Sequence, residues 1–114
     1  MLVKFSSKDT AELCKGLNKI VNYNTSKLFS RYTEIPQSMR QQATQIMREL
    51  KRNGMINLDM DTLKMLHMAT KEFGGFFYDM TLDNKIQNLM YQYEYNQCKP
   101  NFKTKDGEDI IIIS

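Results

Sequence analysis

The chain has 114 residues, of which 41% are hydrophobic and 25% are charged, proportions typical of one globular domain, residues 1–114. No run approaches the roughly 18 to 20 consecutive apolar residues that a membrane-spanning helix needs. The first residues lack the basic and then apolar pattern of a signal peptide. We therefore expect a cytoplasmic domain with no membrane partner.

The net charge of +3 is distributed unevenly along the chain. Residues 1–58 contain ten Lys and Arg against four Asp and Glu, whereas residues 59–114 contain six against nine. The first half therefore carries +6 and the second half −3. A protein that is basic at one end can approach a polyanion such as nucleic acid with that end. Simple solubility explains the same charge equally well.

The first third of the chain predicts one strand and two helices. Leu2–Phe5 has the pattern of a short strand. Ser6 and Asp9 have the spacing of a capping box, which opens a helix. The apolar face of this helix repeats at helical spacing and comprises Leu13, Cys14, Leu17, Ile20 and Val21. A shorter helix follows through Leu28, Phe29 and Tyr32.

The middle of the chain predicts two further helices separated by a short extended segment. Pro36 interrupts helical geometry at the residue before it, and Ser38 is a candidate cap for the third helix. Gly54 follows a basic last turn and predicts a left-handed helix end. Residues 55–60 alternate as a strand does. Asp61 then predicts the cap of a fourth helix that runs to Phe73.

The last third predicts a fifth helix and a β-hairpin. Thr81 and Asp83 are both candidate caps for the helix, whose apolar face comprises Ile86, Leu89, Met90 and Tyr93. Asp106 and Gly107 lie between two extended runs and predict a type I′ turn. Four isoleucines follow at 110–113, so this strand is either covered on both faces or prone to association. The predicted fold is α+β and mainly helical. It has about five helices, a helix-turn-helix-like centre, and a small sheet from the N-terminal strand and the C-terminal hairpin.

The third helix carries a polar stripe opposite its apolar face. Met39, Ala43, Ile46, Met47 and Leu50 fall within one arc at 100° per residue. The opposite side is Gln41, Gln45, Arg48 and Arg52. In the DNA major groove, Gln pairs bidentately with adenine and Arg with guanine. Arg40 and Lys51 flank the stripe, where phosphates would lie.

Residues 25–60 resemble the second half of a winged helix-turn-helix regulator. The resemblance rests on a short helix, a turn at residues 33–36, and a longer helix that ends in Leu50, a polar run, Gly54 and the pair Met55–Ile56. It implies that the helix over residues 38–53 reads double-stranded DNA and regulates transcription. The sequence departs from the family after Ile56, where a wing would be basic but Asp59 and Asp61 occur. The alternative is that the polar stripe is only the solvated face of an amphipathic helix.

A second set of residues suggests a protein-binding surface instead. Met65 and Met68 project from a different side of the fourth helix than its main apolar face, and adaptable methionines suit recognition surfaces. Tyr91 and Tyr95 are four residues apart and lie away from the apolar face of the fifth helix. The protein would then be a non-catalytic inhibitor or adaptor, of the phage- or plasmid-type accessory class, or a homodimer. The alternative is that the two tyrosines pack under the C-terminal hairpin.

No residue pattern in the sequence indicates a particular chemical reaction. His67 is the single histidine, and its place between Leu66 and Met68 is typical of the edge of a core. The chain has neither metal-ligand spacing nor a glycine-rich phosphate loop. Cys14 and Cys98 fit neither a disulfide framework nor a zinc site, and Cys14 is expected to be a buried thiol. We therefore expect a protein that is not an enzyme and needs no cofactor.

Overall fold

The structure is a computed structural model that describes residues 1–23, 35–73 and 80–113. In chain order the elements are β1 (Leu2–Phe5), α1 (Ser7–Val21), α2 (Gln37–Asn53), β2 (Met55–Asn57), α3 (Met60–Lys71), α4 (Met80–Glu94), β3 (Phe102–Lys103) and β4 (Asp109–Ile113). The expected α+β class, mainly helical with a small sheet, is confirmed. The described residues contain four helices rather than about five. The predicted helix through Leu28, Phe29 and Tyr32 lies outside them.

The sheet joins the two ends of the chain. Its strand order is β2-β1-β4-β3. β1 is parallel to β4, with Val3 opposite Ile111, and antiparallel to β2, with Val3 also opposite Ile56. β3 and β4 form the predicted C-terminal hairpin. The N-terminal strand and the hairpin therefore belong to one sheet, as expected, and β2 adds an edge strand to it.

Two predicted helix boundaries are confirmed by backbone geometry. Ser6 is the N-cap of α1, and its Oγ accepts a hydrogen bond from the Asp9 N–H at 3.1 Å. Gly54 ends α2 with a φ of 71°, and its N–H donates to the Leu50 carbonyl at 2.8 Å. Glycine adopts this left-handed conformation without the steric cost of a Cβ atom.

Two predicted caps are wrong. Ser38 lies inside α2, because the Pro36 carbonyl already accepts from the Met39 N–H at 3.1 Å and the helix begins at Gln37. Asp61 lies in the first turn of α3, whose N-cap is Asp59. The Asp59 backbone is extended and its carboxylate accepts from the Thr62 N–H at 2.8 Å.

The turn of the C-terminal hairpin is also not of type I′. That turn needs positive φ at two successive central residues, whereas Asp106 has a negative φ and only Gly107 is left-handed, at 82°. The loop spans residues 104–108. The Gly107 N–H donates to the Thr104 carbonyl at 2.9 Å, and the Thr104 N–H donates to the Glu108 carbonyl at 2.9 Å. The longer loop needs one glycine where the two-residue turn would need two left-handed residues.

The core lies between one face of the sheet and the helices. It includes Val3, Phe5, Ile56 and Ile111 from the sheet and Leu13, Leu17, Ala43, Ile46, Leu50, Leu63, Leu66, Leu82, Ile86 and Leu89 from the helices. The strand of isoleucines pairs with β1 along its length but with β3 only at Asp109 and Ile110. Beyond β3, the Asn101 side chain donates to the Ile112 carbonyl at 3.0 Å and accepts from the Ile112 N–H at 2.8 Å. Ile110 and Ile111 are buried and Ile112 is 39% exposed. Within the described ranges, no helix combines the length and apolar character needed to cross a membrane.

Candidate functional site

The polar stripe of α2 faces solvent along its whole length. α2 packs against α1, and its inward residues Ala43, Ile46 and Leu50 are buried. The four stripe residues, Gln41, Gln45, Arg48 and Arg52, are all exposed. From the first to the last they extend about 16 Å along the helix axis. The structure therefore brings the four stripe residues and the exposed Lys51 beside them onto one continuous surface, here named the α2 outer face.

The cations of the α2 outer face are not neutralised by neighbouring carboxylates. Among the described residues, Arg48, Lys51 and Arg52 form no ion pair. Gln45 donates a single hydrogen bond to Glu49, at 3.3 Å, along the same helix. Lys51 is exposed beside the stripe, as predicted. The face therefore presents three free cations and two side-chain amides to solvent.

Arg40 does not join this face. Its guanidinium donates to the carbonyls of Val21 at 3.0 Å, Tyr23 at 2.9 Å and Ile35 at 3.3 Å. The first two are carbonyls at the end of α1, where helical partners are lacking. Because three of its five N–H groups are bonded to backbone carbonyls within the protein, the prediction that Arg40 binds a phosphate conflicts with its contacts. We assign Arg40 to the α1–α2 junction.

No second strand directly follows β2. β2 pairs with β1, and α3 begins at Met60, three residues after the strand ends at Asn57. The residues that would form a wing after α2 are therefore β2, which belongs to the sheet formed by the chain ends, and the N-cap of α3. The first helix of the predicted helix-turn-helix lies outside the described residues.

The predicted Met and Tyr surface is divided between the core and solvent. Met65 is 5% exposed and belongs to the core, so it cannot form part of a surface. Met68 is half-buried against the same core. Tyr91 and Tyr95 are 55% and 57% exposed, which excludes their packing under the hairpin. Their ring centroids lie 4.7 Å apart, so they form one exposed aromatic pair.

A buried acidic network between α3 and α4 was not predicted. Asp83 is completely buried, and its Oδ1 lies 2.6 Å from His67 Nδ1. The same oxygen accepts from the Thr70 hydroxyl at 2.8 Å, and Oδ2 accepts from the Gln87 amide at 2.6 Å. The prediction that Asp83 caps a helix is wrong, because α4 already contains Met80 and Thr81. A signal was present: Asp83 lies three residues before Ile86, on the apolar face of its own helix.

His67 and Gln87 also line an open groove between the same two helices. The groove has a volume of about 460 Å³ and is completed by Met60, Lys64, Met90, Tyr91 and Glu94. The imidazole is 28% exposed. Asp83 already accepts from Thr70 and Gln87, and an ionised carboxylate can only accept, so we assign Nδ1 as the donor in its contact with Asp83. Nε2 is then the ring nitrogen left for the groove.

The two cysteines offer no reactive centre. Burial raises the pKa of the Cys14 thiol, and the Lys51 ammonium offsets part of that effect. Burial also raises the pKa of the Cys98 thiol. A raised pKa reduces the thiolate fraction near neutral pH, and the thiolate is the nucleophile. Among the described side chains, no cluster of three or more His, Cys, Asp or Glu residues could hold a metal ion.

Comparison of the chain with protein-family models, with curated proteins and with solved structures gave no match.

Proposed function

We propose that this protein binds double-stranded DNA through the α2 outer face and regulates transcription, in the manner of helix-turn-helix proteins. The observation that supports the proposal is the common exposure of Gln41, Gln45, Arg48 and Arg52 on one 17-residue helix. An α-helix fits the major groove, whose base edges offer partners to Gln and Arg. Lys51 contacts a phosphate beside the groove.

The charges of this face favour a polyanion as its partner. Arg48, Lys51 and Arg52 are free of intramolecular ion pairs in the described structure, so no carboxylate must be displaced on binding. Cations that contact phosphates release condensed counterions, and this release makes affinity fall with salt. The stripe Gln side chains and Arg48 would contact base edges and thus provide selectivity.

The test is fluorescence anisotropy with a random pool of labelled duplex DNA at two salt concentrations. Wild type is compared with Gln45→Ala/Arg48→Ala and with Lys71→Ala/Gln97→Ala. The second variant removes the same charge and the same amide from exposed positions outside α2. We expect salt-dependent binding that the α2 variant loses and the control variant keeps. Equal loss in both variants, or no binding at low salt, would contradict the proposal.

Single variants separate the two kinds of contact. Against a selected site, Arg48→Ala is expected to cost about 1–3 kcal/mol of binding free energy and to relax sequence preference. Lys51→Ala is expected to weaken binding to all sequences alike and to lower the salt slope by about 1. An Arg48→Ala variant with unchanged affinity would show that another surface binds DNA.

A second candidate function is binding of a protein partner by the Tyr91 and Tyr95 pair. Both rings are more than half exposed and lie in contact, and such aromatic residues are enriched at protein interfaces. On this proposal the protein is a non-catalytic inhibitor or adaptor, or a homodimer. The absence of DNA binding at low salt would favour it.

A further inference from the structure

We propose that the groove between α3 and α4 binds a small carboxylate with an apolar body, whose carboxylate lies between His67 Nε2 and the Lys64 ammonium. This site is separate from the α2 outer face, so the inference goes beyond the proposed function and does not depend on it.

The buried carboxylate of Asp83 holds the His67 ring in place. The Nδ1–Oδ1 distance is 2.6 Å, and Thr70 and Gln87 fix the same carboxylate from two other positions. A carboxylate that binds one ring nitrogen of a histidine sets the ring orientation and leaves the other nitrogen for a ligand. In the protonated ring both nitrogens donate, so Nε2–H can donate to an anionic oxygen in the groove.

Lys64 provides a cation next to His67, at the end of the groove where we place the ligand carboxylate. It precedes His67 by three residues on α3, and both side chains line the groove. Lys64 is exposed and forms no ion pair with any of the residues that the structure describes. Two donors at i, i+3 positions on one helix face are suited to the two oxygens of a carboxylate, and hydrogen bonds between charged groups are about twice as strong as neutral ones.

The rest of the groove is suited to an apolar body. Met60, Met90 and Tyr91 also line the groove and supply its apolar walls. The volume of about 460 Å³ lies in the range of small-molecule sites, which combine apolar walls with a few convergent polar groups. Glu94 lines the same groove near Met90, so it disfavours a second anionic group and selects a monocarboxylate.

The single histidine makes the test direct. The Cε1–H resonance of His67 is the only signal of its kind, because the chain has one histidine. We would titrate 4-phenylbutyrate into the full chain and follow this resonance by ¹H NMR, with neutral 4-phenylbutanamide as the matched control compound. At about 10 mM probe, even a millimolar site is mostly occupied. We expect a saturable shift with the carboxylate and a much smaller one with the amide.

Two variants test the assigned contacts, with affinity measured by calorimetry. His67→Asn keeps a polar side chain near the Nδ1 position, opposite Asp83, and removes Nε2. Lys64→Gln removes the free cation, and Lys71→Gln removes an exposed cation of the same helix that does not line the groove. We expect His67→Asn and Lys64→Gln to weaken carboxylate binding about tenfold or more, as for loss of a charge-assisted contact. Lys71→Gln should leave it unchanged.

The proposal is overturned by any of three results: no shift with the carboxylate, equal binding of the amide, or full affinity in His67→Asn.

Discussion

Arg40 shows how one side chain can join segments that are distant in sequence. Its guanidinium binds the carbonyls of Val21 and Tyr23 at the end of α1 and of Ile35 just before α2. Helix-terminal carbonyls carry a partial negative charge, so a cation there is favourable. The sequence places Arg40 next to Gln41 in a basic helix but does not show the carbonyls beside it. The phosphate contact was predicted for this reason.

Replacement of Arg40 by Met is expected to reduce the free energy of unfolding by about 1–3 kcal/mol. The change leaves the Val21 and Tyr23 carbonyls without their charged donor, and hydrogen bonds to charged groups contribute about that much. Urea denaturation followed by circular dichroism would measure it. Arg48→Met is the control, because Arg48 lies on the same helix, is exposed and has no ion pair. Equal effects of the two changes would show that the carbonyl contacts contribute nothing.

At the scale of elements, α1 and α3 are in close contact at Gly16. A Cβ atom at this position would lie 2.2 Å from the Ala69 carbonyl oxygen and 2.7 Å from its carbonyl carbon. Both atoms belong to the backbone of α3, so a side-chain rotation cannot relieve the contact. Glycine is therefore required here by the distance between the helices, although Gly16 lies within a helix, where glycine is otherwise unfavourable.

Substitution of Gly16 by Ala is thus expected to destabilise the protein, in contrast to the usual gain in helix propensity. Separation of two packed helices costs about 1–3 kcal/mol, more than the roughly 1 kcal/mol that alanine contributes over glycine. The midpoint of thermal unfolding should decrease. The control is Lys8→Ala, at an exposed position of the same helix where the described structure shows no side-chain partner; it should raise the midpoint or leave it unchanged. An unchanged or raised midpoint in Gly16→Ala would disprove the close packing.

The same scale shows how far the sequence determines fold and site. The period of apolar residues predicts α1, α2 and the outward stripe of α2, because a helix that buries Ala43, Ile46 and Leu50 must expose Gln45 and Arg48. Pattern alone does not predict which of two nearby acidic residues caps a helix. It also did not separate Met65, which is buried, from a surface methionine. The Asp83 network forms only because α3 packs against α4. A local sequence pattern does not show which helices are in contact, so it could not predict this network.

At the scale of the whole molecule, contacts between distant segments hold the two ends of the chain together. β1 and β4 are parallel neighbours although they lie at opposite ends of the sequence. A second link joins the start of α1 to α4, where the Lys85 ammonium donates to Asp9 Oδ2 at 2.9 Å. Asp9 is 4% exposed, and its own N–H is held by the Ser6 cap. The ion pair therefore fixes α4 against the first turn of α1.

Removal of Lys85 is expected to destabilise the protein more than simultaneous removal of both charges. In Lys85→Met the carboxylate of Asp9 stays buried without its cation. Loss of one partner of a buried pair is costly, about 3–5 kcal/mol when burial is complete, and the 26% exposure of Lys85 places this pair below that range. In Asp9→Asn/Lys85→Met no uncompensated charge remains, so part of the loss should be recovered. Denaturant unfolding of wild type, both single variants and the double variant measures the coupling free energy. Strictly additive effects would mean that the pair does not connect α1 and α4, and that the sheet alone holds the ends of the chain together.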